Sequence, residues 1–170
     1  MKPENLEKLE NLVKIDKLGK EPTDPHEIGR FLGKINQRIT DAAKRAVGLD
    51  STFDIAYEGV LQIAMVALRA EGYRVKTTPG HQQIAIQSLP LTLELPKDET
   101  YVFDVFRRKR SQSIYGAEHD PSEAEVAALI EAAQTLQARR LAWLAEQHPT
   151  LVSWPFRHSY FEHAPLSSTK

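Results

Sequence analysis

Apolar positions recur along this chain mostly at spacings of three and four, the period of a helix with one face against a core. Residues 3–18 place Leu6, Leu9 and Val13 on one side, with acids early, a short amphipathic helix. Gly19 and the run Glu21-Pro22-Thr23-Asp24-Pro25 break it. Asp24, Pro25 and Glu27 then read as N-cap, first helical residue and third-position acid. Behind them Ile28, Phe31, Leu32, Ile35, Ile39, Ala42 and Ala46 form a stripe that Gly48 closes. Ser51 with Asp54 has the form of a capping box. The following helix carries Phe53, Tyr57, Val60, Leu61, Ala64, Met65 and Leu68 inward and ends at Gly72. Residues 73–80 read as a loop bearing Arg74 and Lys76.

Residues 82–95 are ambiguous. Leu89, Leu91, Leu93 and Leu95 alternate like a strand, whereas Ile84, Ile86 and Leu89 fit a short helix kinked by Pro90. A lone strand would have no partner, so helix followed by loop is the expectation. Residues 97–115 form a further helix with Phe103, Phe106, Arg110 and Ile114 on one stripe. Asp120-Pro121-Ser122-Glu123 repeats the cap, proline and acid signature. The helix behind it runs to about residue 147 with Val126, Leu129, Ile130, Ala133, Leu136 and Leu144 inward. Pro149, Pro155 and Pro165 break up the remainder, whose Trp154, Phe156, Tyr160 and Phe161 suit docking on the body or on a partner. The expected fold is all-α: a single up-and-down bundle of five or six helices and no credible sheet. Residues 1–24 form an N-terminal helix and linker, 25–147 the bundle, and 148–170 an aromatic, proline-containing tail.

Composition narrows this little. A chain of 170 residues with 41% hydrophobic and 26% charged residues suits one well-buried core. It has no cysteine, which excludes disulfides and thiolate metal sites. No apolar run has the form of a signal peptide or a membrane span, so a cytoplasmic protein without membrane contact is expected. The net charge of -1 argues against a protein that coats nucleic acid; contact with RNA or DNA would need a local basic patch.

That patch is Arg107-Arg108-Lys109-Arg110. As structure, it is a helix C-terminus whose cations complement the dipole. As function, it is a phosphate contact through Arg107 and Arg110, helped by Arg74 and Lys76 if their loop lies nearby. Arg110 falls in the apolar stripe, so it either snorkels to solvent or sits buried and needs a partner. Other chemistry is sparse. His158 and His163 are five apart, the wrong spacing for one helix face, so no metal is expected. His81 suits a helix start, no phosphate-binding glycine loop is present, and Glu123 and Glu125 serve a helix dipole. No cofactor is implied.

The segment Arg110-Ser111-Gln112-Ser113-Ile114-Tyr115 resembles the signature of HEPN domains, an arginine followed by a polar residue and then, about five positions on, a histidine. The alanine-rich helix that ends Gly72-Tyr73-Arg74, and the Gly80-His81-Gln82 helix start, are similar to the same family, over roughly residues 25–145. Ser111 replaces the usual asparagine and Tyr115 the histidine. The resemblance implies a homodimer whose paired motifs bind RNA or a nucleotide and, in nuclease members, cut RNA without metal. Arg110 would steady the phosphate, with Ser111 and Tyr115 completing the catalytic set. A tyrosine with a pKa of about 10 can donate a hydrogen bond but is a poor base at neutral pH. The setting implied is a toxin–antitoxin or defence system, with an antitoxin as partner. A non-catalytic subunit beside a small nucleotidyltransferase is the alternative, and an interaction module using the tail a second one.

Overall fold

The computed structural model describes residues 1–114 and 120–152. Among the described residues eight helical segments follow in chain order: α1 (Pro3–Lys14), α2 (Pro25–Lys44), α3 (Leu49–Ala70), α4 (His81–Gln87), α5 (Leu89–Thr92), α6 (Lys97–Ile114), α7 (Glu123–Gln147) and α8 (Pro149–Val152). The all-α expectation holds, with one correction. Leu18–Lys20 (β1) and Tyr73–Val75 (β2) pair antiparallel, Leu18 opposite Val75 and Lys20 opposite Tyr73. Gly19, expected as a breaker, is the middle of a strand, and part of the expected 73–80 loop is its partner. Gly72, at φ +83, makes the reversal after α3 that starts this ribbon, and its carbonyl accepts the amide of Glu21 at 3.0 Å.

Helix α3 is the centre. It is apolar around most of its circumference, so it must be enclosed. Helix α2 covers one side antiparallel, as Arg69 near the end of α3 meets Glu27 at the start of α2. Helix α6 brings its later turns to the start of α3, where Phe106 meets Phe53 edge-on with centroids 5.9 Å apart. Helix α7 runs along α3 in the same direction: Lys109 of α6 pairs with Glu125 at its beginning, and His148 at its end meets Glu71 at 3.1 Å. The short α4 and α5 settle the ambiguous 82–95 stretch as helical, with Ile86 and Leu89 fully buried. Helix α1 and the ribbon close a second small cluster of Leu9, Leu18, Leu68 and Tyr73.

Caps correct the helix boundaries. Asp24 caps α2 as expected, accepting from the His26 amide at 2.9 Å. Helix α2 stops at Lys44, with Arg45 left-handed at φ 49, and Gly48 becomes the N-cap of α3. Ser51 therefore lies inside the first turn of α3, and the expected Ser51–Asp54 capping box does not form. For α7 the cap is Ser122, two residues beyond Asp120, in a reciprocal capping box with Glu125.

Two buried arginines contrast. Arg69, 3% exposed, donates to Glu27 at 2.9 Å and to the carbonyls of Glu21 and Pro22 at 3.1 and 2.9 Å. Burial opposes the charge on Glu27, but hydrogen bonds from Arg74 and Arg69 outweigh it and hold the carboxyl below its ordinary value. Arg140 of α7 is 1% exposed, and its Nε and Nη1 have no hydrogen-bond partner among the described residues. Burial alone pushes its guanidinium down to about 10.

Opposite outcomes follow in urea unfolding. Glu27→Gln strands the charge of Arg69 and should cost about 3 kcal/mol. Arg140→Met keeps the volume, removes an unmatched charge and should raise stability by about 2 kcal/mol. An unchanged or lowered midpoint for Arg140→Met would show that the charge is compensated.

Candidate functional site

Each cation of the α6 basic run faces an acid. Arg107 Nε donates to Asp104 Oδ1 at 2.8 Å. Arg108 lies 3.3 Å from the other oxygen of Asp104, with its guanidinium 5.4 Å from the centre of the Tyr101 ring. Lys109 pairs with Glu125 of α7. Arg110 turns the other way, onto α3: its Nε donates to Asp54 Oδ1 at 3.1 Å and its Nη2 lies 3.9 Å from Glu58 Oε2. Its guanidinium also stacks over Tyr57, 5.0 Å from the ring centre. Consecutive helix residues point about 100° apart, which is why Lys109 and Arg110 reach different helices.

Arg110 and Arg107 are the most enclosed of the four cations, with side chains 18% and 19% exposed. Arg110 is thus neither free in solvent nor buried alone. The two acids that hold it, Asp54 and Glu58, are one turn apart on α3 and remain 47% and 31% exposed. Tyr57 beneath it donates its hydroxyl to Gln82 Oε1 at 3.2 Å. Burial pushes the Tyr57 hydroxyl well above its ordinary pKa, although the charges of Arg110 and Arg107 work against this. That phenol is no proton acceptor.

The other expected binding residues lie elsewhere. Arg74 donates to Glu21 at 2.8 Å and Glu27 at 2.6 Å, and these bonds raise its already high pKa. Lys76 meets Asp16 at 3.4 Å. Arg74 is in the ribbon and Lys76 directly follows it, at the far end of α3. Fifteen residues separate Asp54 from Arg69, about 22 Å along the helix axis. The structure therefore does not bring Arg74 and Lys76 to Arg110. Ser111 is half-buried in the next position of α6. Tyr115, Trp154, Phe156, His158, Tyr160, Phe161 and His163 lie outside the described residues.

Asp54 and Glu58 are site residues that the sequence reading missed. Their signal was available: Asp54, Glu58 and Gln62 repeat every fourth residue on an otherwise apolar helix. The Ser51–Asp54 spacing points instead to a helix start there, whereas the helix begins three residues earlier, with Gly48 as its N-cap. Among the described residues, no group of three or more acids or histidines is placed to hold a metal, and no helix is long and apolar enough to cross a membrane.

Glu125 joins this site to the cap of α7. Hydrogen bonds from Lys109, the Ser122 amide and the Ser122 hydroxyl lower its carboxyl to about 2. Its folded value lies below its ordinary 4.5, so its stabilisation is complete above about pH 4.5 and is lost as pH falls toward 2. Carboxyl NMR should find Glu125 titrating near 2 in the native chain and closer to 4.5 in Lys109→Met. A native midpoint near 4.5 would refute the clamp.

Comparison with family models, with curated proteins and with solved structures finds no match to this chain.

Proposed function

We propose that this chain is a HEPN-like, RNA- or nucleotide-binding helical domain that holds a phosphate at Arg110, acting as a homodimer in a toxin–antitoxin or defence-type system. The observation that carries the reading is the state of Arg110. Its guanidinium is partly desolvated, oriented by Asp54 and Tyr57, and donates one hydrogen bond among the described residues. A guanidinium has five N–H donors, so a face of the fork is left for phosphate oxygens. The carboxylates around it offset its charge, so recognition rests on oriented donors rather than on a positive field.

Cleavage would further require a proton acceptor. Beside Arg110 the candidates are the carboxylates of Asp54 and Glu58, since Tyr57 is occupied and its ionisation disfavoured. Tyr115 supports binding better than proton transfer for the same chemical reason.

Fluorescence anisotropy with a single-stranded RNA tests the binding. Arg110→Ala should weaken it roughly tenfold or more, the loss expected for a hydrogen-bonded charge, with Arg110→Lys intermediate. Equal affinity for the native chain and Arg110→Ala would sink the reading. Gel analysis of the same mixtures tests cleavage: none, or cleavage that survives Arg110→Ala, removes the nuclease extension alone.

A further inference from the structure

The polar seam that holds Arg110 continues along α3 to a pair of groups with nothing to bind. Gln62, 8% exposed, donates its amide to Glu58 at 3.3 Å, while its Oε1 is buried without a hydrogen-bond partner among the described residues. Arg38 of α2 has a buried Nε with no partner, and it forms no ion pair among the described residues.

Helix geometry puts these two residues on facing flanks of α2 and α3, at about one level. Glu27 and Arg38 are eleven residues apart, three turns, and share one flank of α2. Gln62 and Arg69 are seven apart, two turns, and share one flank of α3. The Glu27–Arg69 ion pair shows that these two flanks face each other. The level is fixed too: a Cβ built on Gly59 would lie 3.8 Å from the Cβ of Arg38. Because α2 and α3 are antiparallel and side chains lean toward their own helix N-terminus, Arg38 leans from the turn of Gly59 toward that of Gln62.

We infer that Arg38 and Gln62 form a ribonucleotide subsite beside Arg110, Arg38 taking a second phosphate and Gln62 Oε1 accepting a ribose hydroxyl. The inference rests on the RNA-binding reading above and deepens it. An unmatched donor and an unmatched acceptor on one flank ask for a ligand that carries both anionic oxygens and an O–H. Inorganic phosphate satisfies the first alone, and deoxyribose lacks the 2′-hydroxyl that separates RNA from DNA. Glu58 links the subsites, holding Gln62 on one side and facing Arg110 on the other. Arg38 is half-buried and its Nε has no hydrogen-bond partner among the described residues, so turning its side chain toward a phosphate breaks no bond at that nitrogen.

The test uses the full chain with a uridine decamer and its deoxy counterpart. The native protein should prefer the RNA, and Gln62→Leu should bring the two affinities together. Arg38→Ala should weaken RNA binding roughly tenfold and lower the slope of log affinity against log salt by about 0.7, one phosphate contact on a single strand. Arg38→Lys should restore the slope. In the native chain the Arg38 Nε–H resonance should shift on RNA addition, a readout that needs no variant to fold. No RNA binding by the native chain overturns both this inference and the function it rests on. Binding that depends on Arg110, with an unmoved Arg38 resonance and equal affinity for RNA and DNA, overturns this inference alone.

Discussion

The structure depends on enclosing a helix that is apolar nearly all round. Helix α3 buries most of its length, so each polar group on it needs a partner from the segments that cover it. Thr52 gives its hydroxyl to the Val47 carbonyl at 3.2 Å, Tyr57 to Gln82, and Arg69 finds Glu27 and two carbonyls. These partners come from the linker before α3, from α4, from α2 and from the chain that leaves β1. Matching the polar groups of one helix thus fixes where the other elements sit. The ribbon is part of the same solution, because Glu21 and Glu27, held by Arg74 of β2, also meet Arg69.

Charge is cancelled locally rather than displayed. Arg107, Arg108, Lys109 and Arg110 all face carboxylates, in keeping with a chain whose net charge is only -1. Exposed pairs of this kind contribute about 1 kcal/mol or less and are screened by salt. Burial is what separates them. Arg108 is half exposed, whereas Arg110 is largely covered and rests on an aromatic face. A phosphate approaching Arg110 competes with carboxylates, which favours ligands with several matching contacts over simple anions.

Much of this was legible in the sequence where local chemistry decides. Asp24-Pro25 sets the start of α2, Gly72 the end of α3, and the stripe of Phe103, Phe106 and Arg110 turns a cation inward. What failed was chemistry with two local solutions. Ser51 and Gly48 could both begin α3, and glycine won because its extended backbone (φ -58, ψ 161) lets the helix start at Leu49. The ribbon was hidden because each strand is three residues long and its partner lies more than fifty positions away. Nothing local marks Leu18–Lys20 as half of a pair. Arg140 shows the same limit: periodicity places it near the core face, but only packing reveals that its Nε and Nη1 have no hydrogen-bond partner among the described residues.

Arg110 also owes its position to its neighbour. Lys109 clamps the end of α6 to the capped start of α7, while Arg110 clamps the same turn to α3. Two anchors about 100° apart fix that turn in both translation and rotation. Glu125 serves both the clamp and the Ser122 cap, so the start of α7 and the end of α6 are ordered together. A guanidinium held this way has already lost much of its rotamer freedom before any ligand arrives, which reduces the entropic cost of binding. The basic run is therefore better understood as a device for aiming one arginine than as a patch of four: Arg107 and Arg108 pair with Asp104 within α6, Lys109 ties the helix to α7, and Arg110 faces α3.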